Sequence, residues 1–326
     1  ANHGDELFKE AKKQGVKLYY EASVAGGIPI IHAIKESLTG NKIEKIMGIL
    51  NGTTNYILTK MTKEGASYHK VLKEAQELGY AEADPTADVE GYDAAHKLTI
   101  LSSLAFGASV NFQEVYREGI SKVTPIDIEY AQELGYVIKL LAIGKEKEGV
   151  MELRVHPTFI PESHPLASVN DTFNAVFVKG NAVGDLMFYG RGAGALPTGS
   201  AVVGDIITIF KDIKNEKPNE YYEHTKLDKK VKAMGETEGE YYIRLIVKDK
   251  PGVLGTIANV FGKNNVSISS VIQKGEGVPE VSLVFLTHFT KEEDVQSAIY
   301  EIINLEAVVE LANLIRVENG KKRMGA

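Results

Sequence analysis

The order of strand and helix patterns in the last third of the chain is the feature that most constrains its fold. Residues 241–317 contain these patterns in the order strand, helix, strand, strand, helix, strand. An Asp-Lys-Pro-Gly-Val-Leu turn at 249–254 opens the first helix. This order is that of a ferredoxin-like βαββαβ unit. We therefore predict a separate C-terminal domain over 241–317 and an α+β fold for the chain.

The preceding part of the chain divides into a large domain and a linker. Because a charge-rich segment with few apolar residues lies between them, we assign 1–213 to the large domain, 214–240 to the linker and 318–326 to a tail. We expect the large domain to combine helices with a mixed or antiparallel sheet, with strands at 136–144, 151–159, 173–178 and 185–189. Nearer the N-terminus we expect a strand at 16–21 and a single helix over 88–106.

Composition excludes several classes of function. The chain has 326 residues and a formal net charge of -7, which argues against nucleic acid or an anionic membrane as a partner because either favours a basic patch. No apolar run approaches the ~18 residues of a membrane span, and no signal-peptide pattern is visible, so we expect a cytoplasmic protein. The absence of cysteine excludes oxidation of an aldehyde through a thioester, whereas hydride exchange between an alcohol and an aldehyde needs only an acid–base group.

The segment from Gly79 to Lys97 carries the main candidate for acid–base chemistry. Its acidic residues lie in a loop that contains Gly and Pro and runs into an apolar helix; they are Glu82, Asp84, Asp88, Glu90 and Asp93. Lys97 follows Asp93 by one helical turn, so both side chains share a face. A lysine next to carboxylates can polarise an oxygen or transfer a proton. An exposed ion pair has the same spacing, so the spacing alone leaves both interpretations open.

Three other segments have the composition of ligand-binding turns: Glu21–Ile28, Asn51–Asn55 and Gly190–Gly194. In the first, a carboxylate precedes a glycine turn whose carbonyl groups can converge on a cation, although tight packing explains the glycines equally. The second lies where a strand ends and a helix begins. Its N–H groups can attract a carboxylate, and a simple N-cap by Thr53 or Thr54 is the alternative. The third follows a strand and precedes a helix, which lets backbone approach a ligand closely.

The order of these motifs resembles that of the homoserine dehydrogenase family. The matching segments are Glu21–Ile31, Gly48–Leu58, Gly79–Lys97 and Gly190–Ser200. The resemblance covers residues 1–213, and residues 241–317 resemble an ACT domain. Family members begin with a dinucleotide-binding half that contains a Gly-rich turn, and no strand-GxGxxG-helix unit occurs here. We therefore expect that half to be missing and 1–213 to include only a remnant of it. An inactive regulatory or assembly module that binds an amino acid is the alternative function.

The resemblance implies NAD(P)-dependent interconversion of homoserine and aspartate 4-semialdehyde, and it implies a role for each candidate residue. Lys97 would transfer the proton at the substrate oxygen. The residues implied to bind the amino-acid substrate are Gly79, Tyr80, Glu82, Asp93 and Thr53. Gly194 would contact the nicotinamide end of NADP or NAD. A sodium ion would be held by Glu21, Val24, Gly26 and Ile28, the last three through backbone oxygens.

The ACT resemblance implies an amino-acid effector, and end-product control makes threonine the first candidate. The N-terminus of the helix after Pro251-Gly252 offers N–H donors to a carboxylate. The residues implied to bind the effector are Asp249, Gly252, Val253, Leu254, Asn265 and Val266. A structural or dimerising module without a ligand is the alternative. Alternating strands such as 151–155 need a covered face, so we also predict a homodimer or homotetramer.

Overall fold

The computed structural model describes residues 1–217, 229–275 and 278–319, and these residues form two compact units. The first unit consists of described residues within Ala1–Ser121, Leu140–His156 and Ser168–Lys232. The second consists of described residues within Lys122–Lys139, Pro157–Ala167 and Ala233–Ala326. Residues 218–228 of the predicted linker and 320–326 of the predicted tail lie outside the described residues.

The elements are numbered in chain order. The helices are α1 (Gly4–Gln14), α2 (Ile30–His32, continued by a π-helical turn over Ala33–Ser37), α3 (Gly52–Glu64), α4 (Tyr68–Glu77), α5 (Thr86–Val89), α6 (Tyr92–Phe106), α7 (Pro125–Glu133), α8 (Ala195–Lys214), α9 (Val253–Lys263) and α10 (Glu292–Ile302). The strands are β1 (Ile43–Ile49), β2 (Tyr116–Arg117), β3 (Tyr136–Lys147), β4 (Val150–Pro161), β5 (Phe173–Gly180), β6 (Gly184–Arg191), β7 (Lys230–Val231), β8 (Glu238–Lys248), β9 (Ile268–Lys274), β10 (Glu280–Thr287), β11 (Thr290–Lys291) and β12 (Val308–Val317). None of the helices within these described ranges has the length and apolar character to cross a membrane.

The sheet of the first unit has the order β6-β5-β1-β3-β4. Strand β1 is central and antiparallel to both neighbours, with Met47 opposite Ile143 on one side and Phe177 on the other. Helix α6 packs closely on β3 at Gly144, where an added Cβ would lie 2.9 Å from Ser102 Oγ. The predicted antiparallel sheet is therefore present. It places the end of β1 and the start of α3 beside α6.

The strand predicted at 16–21 does not form. Residues 16–20 have no regular structure, and Glu21–Ser23 is a 3-10 turn. The backbone N–H of Glu21 donates to Asp205 Oδ2 at 2.9 Å, so a side chain on α8 takes the hydrogen bond that a neighbouring strand would otherwise accept. Alternating apolar residues suggested a strand, but among the described residues this segment has no neighbouring strand to pair with.

The single helix predicted over 88–106 is instead two helices, α5 and α6. The break falls at Gly91, whose φ of 78° lies in the left-handed region. A Cβ at this position would also lie 3.2 Å from Val155 Cγ1, so the break allows β4 to approach closely. Gly91 therefore turns the chain between α5, which carries Asp88, and α6, which carries Lys97.

The second unit has the predicted βαββαβ order, given by β8, α9, β9, β10, α10 and β12. Its antiparallel sheet has the order β12-β8-β10-β9. The core lies between this sheet and the two helices, with Phe261 of α9 packed edge-on against Phe285 of β10. The fold predicted for residues 241–317 is confirmed.

Residues 122–139 lie with the C-terminal unit, although the sequence-based boundaries put them in the large domain. The reason is a fully buried carboxylate on α7, that of Asp127. It accepts hydrogen bonds from Arg244 Nε at 2.7 Å, Tyr242 Oη at 3.0 Å and Asn313 Nδ2 at 2.8 Å. Because a buried charge requires paired and hydrogen-bonded partners, α7 belongs with β8 and β12.

Candidate active site

Lys97 lies at the centre of the site predicted on α6. Its Nζ donates to Asp93 Oδ2 at 2.6 Å and to the backbone oxygen of Leu50 at 2.9 Å. Leu50 follows the last residue of β1, so the lysine spans from its own helix to the end of the central strand. The Lys97 side chain is 19% exposed, unlike that of an ordinary surface ion pair. An ammonium group has three donors, and these contacts use two of them.

Asn51 connects the segments around the lysine. Its Oδ1 accepts the N–H of Thr54 at 2.9 Å, so Asn51 is the N-cap of α3. The alternative interpretation, an N-cap by Thr53 or Thr54, is therefore wrong. Its Nδ2 donates to Asp88 Oδ1 at 2.6 Å and to Asp93 Oδ2 at 3.0 Å. An amide has both donors and acceptors, which lets one residue cap a helix and hold two carboxylates.

Asp88 and Asp84 have different surroundings. Burial raises the pKa of Asp88 above its usual range, and the hydrogen bond from Asn51 opposes this shift. Asp84 instead accepts the N–H and the hydroxyl of Thr86 at 3.1 and 2.6 Å, as a turn residue does.

Only some of the residues predicted to bind substrate lie close to one another. Thr53 Oγ1 donates to the backbone oxygen of Tyr80 at 2.6 Å, which joins the start of α3 to the Gly79–Tyr80 turn. Gly79 has a φ of 75° and needs the freedom of glycine. Glu82 is exposed, and its backbone oxygen accepts a hydrogen bond from Gln76 Nε2 at 3.0 Å. Within the described residues, the Glu82 carboxylate takes no part in the hydrogen bonds around Lys97.

The two remaining glycine-rich segments lie against each other. Gly27 donates its N–H to the backbone oxygen of Arg191 at 3.1 Å. A Cβ on Gly26 would lie 2.4 Å from the oxygen of Gly192, so only glycine permits this approach. Gly194, with a φ of 115°, is the N-cap of α8. The loop predicted to meet the cofactor therefore combines close backbone approach with the N–H groups of a helix start.

Glu21 is buried at the start of the other glycine-rich segment. Its carboxylate accepts the N–H groups of Ile31 at 2.9 Å and His32 at 2.7 Å. Burial raises the pKa of Glu21, and these hydrogen bonds oppose that effect. Across residues 1–217, 229–275 and 278–319, no group of three or more His, Cys, Asp or Glu side chains is arranged to hold a metal ion. A cation site here would instead combine one carboxylate with backbone oxygens, the hard ligands that such ions prefer.

The predicted effector residues border the start of α9 in the second unit. Gly252 is the N-cap with a φ of 89°, and Val253 begins the helix. Asn265 has a φ of 59°, an uncommon backbone conformation that Asn tolerates. Asn264 Nδ2 already donates to the oxygen of Val260 and to Glu301. Of these two adjacent asparagines, Asn265 is therefore the stronger candidate to bind an effector. The other predicted residues differ in exposure, with Val266 buried and Asp249 and Leu254 exposed.

Comparison with known proteins identifies the family. A family model described as homoserine dehydrogenase matches residues 29–207, and one described as ACT domain matches residues 241–307. The homoserine dehydrogenase of Neisseria gonorrhoeae is 49% identical over 98% of this chain and 75% of its own length. That of Bacillus subtilis is 43% identical over 98% of this chain and 74% of its own length.

Comparison with solved structures gives the same family. The crystal structure of a homoserine dehydrogenase from Thiobacillus denitrificans gives a TM-score of 0.92 at 47% identity, covering 97% of this chain and 74% of that chain. A hyperthermophilic archaeal homoserine dehydrogenase in complex with NADPH gives a TM-score of 0.56 at 30% identity, covering 67% of this chain and 62% of that chain. The chain belongs to the homoserine dehydrogenase family and carries a C-terminal ACT domain.

The family assignment confirms the predicted activity, which is the NAD(P)-dependent interconversion of homoserine and aspartate 4-semialdehyde in amino-acid biosynthesis. The contact between Lys97 and Asp93 could be predicted because their spacing is local. The contact with the Leu50 carbonyl and the central position of Asn51 were not predicted. An Asn at the end of a strand and directly before a helix is a capping signal, and that signal could have identified Asn51.

Proposed function

We propose that Lys97 is the acid–base residue of this homoserine dehydrogenase. The observation that carries the proposal is the pair of contacts from Lys97 Nζ to Asp93 and to the Leu50 oxygen, which fixes the ammonium and leaves one donor for an incoming oxygen. In oxidation, Lys97 in its neutral amine form accepts the proton of the homoserine hydroxyl and becomes the ammonium. In reduction, it returns a proton to the aldehyde oxygen. NAD(P), when bound, accepts or supplies the hydride. Replacement of Lys97 is the direct test.

We further propose that the residues around Lys97 select an amino-acid substrate. Asp93, with Glu82 brought in from its exposed loop, orients the substrate ammonium group. The helix start at Thr53 binds the α-carboxylate, since N–H groups there attract an anion. Gly79 and Tyr80 shape the pocket. With carboxylates placed for the substrate ammonium and N–H groups placed for its carboxylate, the site distinguishes an amino-acid aldehyde from an aldehyde that lacks these charged groups.

A sodium ion and NADP or NAD are the proposed ligands of the glycine-rich segments. The sodium proposal assigns the carboxylate of Glu21 and the backbone oxygens of Val24, Gly26 and Ile28. It is supported by the burial of Glu21 and by the acceptor capacity that each carboxylate oxygen retains beyond its one N–H partner. Gly194 is the proposed contact to the nicotinamide, because a glycine at the start of α8 lets a ligand approach the backbone.

We expect threonine to bind the ACT domain and to lower the activity of the enzyme. The N–H groups at the start of α9 would bind its carboxylate, and Asn265 would bind its ammonium or hydroxyl group. An effector acts by favouring one of two states, and typical coupling changes affinity by about fivefold or more. At homoserine concentrations well below KM, saturating threonine should therefore reduce the rate by a similar factor, and it should raise the melting temperature.

The matched variant is Asn265→Gly, which removes the carboxamide and tolerates the left-handed backbone at this position. It should abolish both effects of threonine and leave the basal rate unchanged. If no amino acid of the aspartate family changes either the rate or the melting temperature of the unmodified enzyme, the ACT domain is a structural module.

An apolar surface on the first unit supports the proposed homodimer or homotetramer. Strand 151–155 was expected to need a partner, but its apolar side chains Met151, Leu153 and Val155 are buried within the chain. Uncovered apolar side chains lie instead on α8 and β6; among those of α8, Leu196 is 87% exposed and Phe210 is 72% exposed. An exposed patch of this kind is typical of an interface, and a second copy would cover it.

We expect light scattering to give a mass of two or four chains of 35.6 kDa each. Phe210→Asp should shift the enzyme toward the monomer, because a charge in an apolar interface is costly. Leu7→Asp is the control, since Leu7 is also exposed but lies on α1. A monomer at micromolar concentration, or equal effects of both substitutions, would contradict the proposal.

A further inference from the structure

Asn174 lies between the two loops to which substrate and cofactor are assigned. It is the second residue of β5 and pairs with Gly190, which begins the glycine-rich loop on one side. The next residue, Ala175, pairs with Ile49 at the end of β1, which leads to Asn51 on the other side. The position of Asn174 in the sheet is therefore adjacent to both loops.

The side chain of Asn174 packs against a glycine of each loop. A Cβ on Gly192 would lie 2.0 Å from Asn174 Nδ2 and 2.5 Å from its Oδ1. A Cβ on Gly52 would lie 3.7 Å from the same Oδ1. The carboxamide thus separates the start of α3 from the loop before α8, and the absence of a side chain at residue 192 makes this contact possible.

The strand that carries Asn174 is fixed to the substrate side of the site. Asn55 on α3 is 2% exposed. Its Nδ2 donates to the backbone oxygens of Val169, Asp171 and Phe173, at 3.2, 3.0 and 3.2 Å. These bonds hold the chain up to the residue before Asn174. The position of Asn174, and with it the contact to Gly192, is therefore fixed relative to α3.

Packing alone does not favour an asparagine at this position. Asn174 is 1% exposed, and among the residues described its Oδ1 has no hydrogen-bond partner. A buried polar atom without a partner destabilises the folded state, and an apolar side chain of similar size would avoid that cost. A buried group of this kind calls for an explanation other than stability.

We propose that Asn174 is a positioning residue for hydride transfer, which sets the distance between the turn at Asn51–Gly52 and the loop at Gly190–Gly194. The inference rests on the roles proposed above for these two segments. Hydride transfer requires the donor and acceptor atoms to be held at close range, and a displacement of about 1 Å costs about a hundredfold in rate. Asn174 acts through Gly192 and Gly52.

The first test compares Asn174→Leu with Ser102→Ala in the intact enzyme. Ser102 Oγ is the matched control, because it is also buried and lacks a hydrogen-bond partner among the described residues, but it lies on α6 against Gly144. Both variants should melt at or above the wild-type temperature. Asn174→Leu should lower kcat by about tenfold to a hundredfold, with KM values within about threefold of wild type, and Ser102→Ala should leave both unchanged.

The second test uses Gly192→Ala, whose added methyl group would collide with the Asn174 carboxamide. Asn174→Ala removes all the carboxamide atoms that collide, so the double variant should be more active than Gly192→Ala alone. A kcat of Asn174→Leu within about twofold of wild type, or equal losses in the double variant and in Gly192→Ala, would overturn the proposal.

The same assay separates this proposal from the roles on which it rests. If Lys97→Ala is inactive while Asn174→Leu is fully active, only the positioning role fails. If Lys97→Ala retains wild-type activity, the site itself is wrong, and Asn174 has no reaction to position. If Asn174→Leu loses melting temperature and activity together, its role is structural and the proposal fails.

Discussion

Lys97→Ala should lower kcat for homoserine oxidation by about two to four orders of magnitude, the range typical of a lost general acid–base group. The alanine removes the only group that the proposal assigns to the hydroxyl proton, while Asp93 and Asn51 remain hydrogen-bonded to each other. Lys97→Arg should also be slow, because a guanidinium group does not release its proton. Steady-state formation of reduced cofactor measures both variants.

Lys60→Ala is the matched control for this substitution. Lys60 also forms an i,i+4 ion pair on a helix of the first unit, with Glu64 at 2.7 Å, and it contacts Glu74 at 3.0 Å. Because these contacts join α3 to α4 and do not involve Asp93 or Leu50, kcat of Lys60→Ala should stay near the wild-type value. A loss below tenfold in Lys97→Ala would contradict the acid–base assignment.

Glu21→Ala and Glu21→Gln should separate two functions of one carboxylate. The alanine leaves the N–H groups of Ile31 and His32 without their acceptor, and the buried N–H of Ile31 alone costs about 1–3 kcal/mol when unsatisfied, so the melting temperature should fall. The glutamine keeps an acceptor oxygen but removes the negative charge that a cation requires. Glu21→Gln should therefore melt close to wild type and lose any dependence of activity on sodium.

Glu36→Gln is the control for the loss of charge, because Glu36 is exposed in the π-helical turn that follows α2. Its activity should respond to sodium as the wild type does. If Glu21→Gln keeps the full sodium response, the ion is not held at Glu21, even when the thermal result for Glu21→Ala is as expected.

The parts of the fold that follow from local periodicity could be predicted from the sequence. The βαββαβ order of residues 241–317 and the antiparallel strands of the first unit depend on alternation within each segment. The spacing of Asp93 and Lys97 is equally local, since one helical turn determines it. These features need no knowledge of distant residues.

The parts that could not be predicted depend on contacts between distant residues. Residues 16–21 have the alternation of a strand, but among the described residues no neighbouring strand pairs with them, and the backbone of Glu21 binds Asp205 instead. The segment around Asp127 belongs to the second unit because Arg244 neutralises the buried charge of Asp127. These two residues are 117 positions apart in the chain. No pattern in either segment contains this information.

The candidate active site likewise has features set by local sequence and features set by contacts between distant residues. Asn51 could be recognised as a capping residue, but its bonds to Asp88 and Asp93 span 37 and 42 residues. The contact between Gly192 and Asn174 arises only after β5 and β6 pair. The sequence motifs therefore predict which segments form the proposed site, and the sheet determines which of their side chains meet.

The central claim is that Lys97 transfers the substrate proton, and a single-turnover measurement tests it most directly. Enzyme saturated with oxidised cofactor is mixed with homoserine or with homoserine deuterated at C4, and the appearance of reduced cofactor is followed in wild type and Lys97→Ala. A single turnover separates chemistry from product release. We predict that Lys97→Ala is slower by about a hundredfold or more and shows a full isotope effect, because the chemical step now limits the rate. A Lys97→Ala enzyme that transfers hydride at the wild-type rate would contradict the claim.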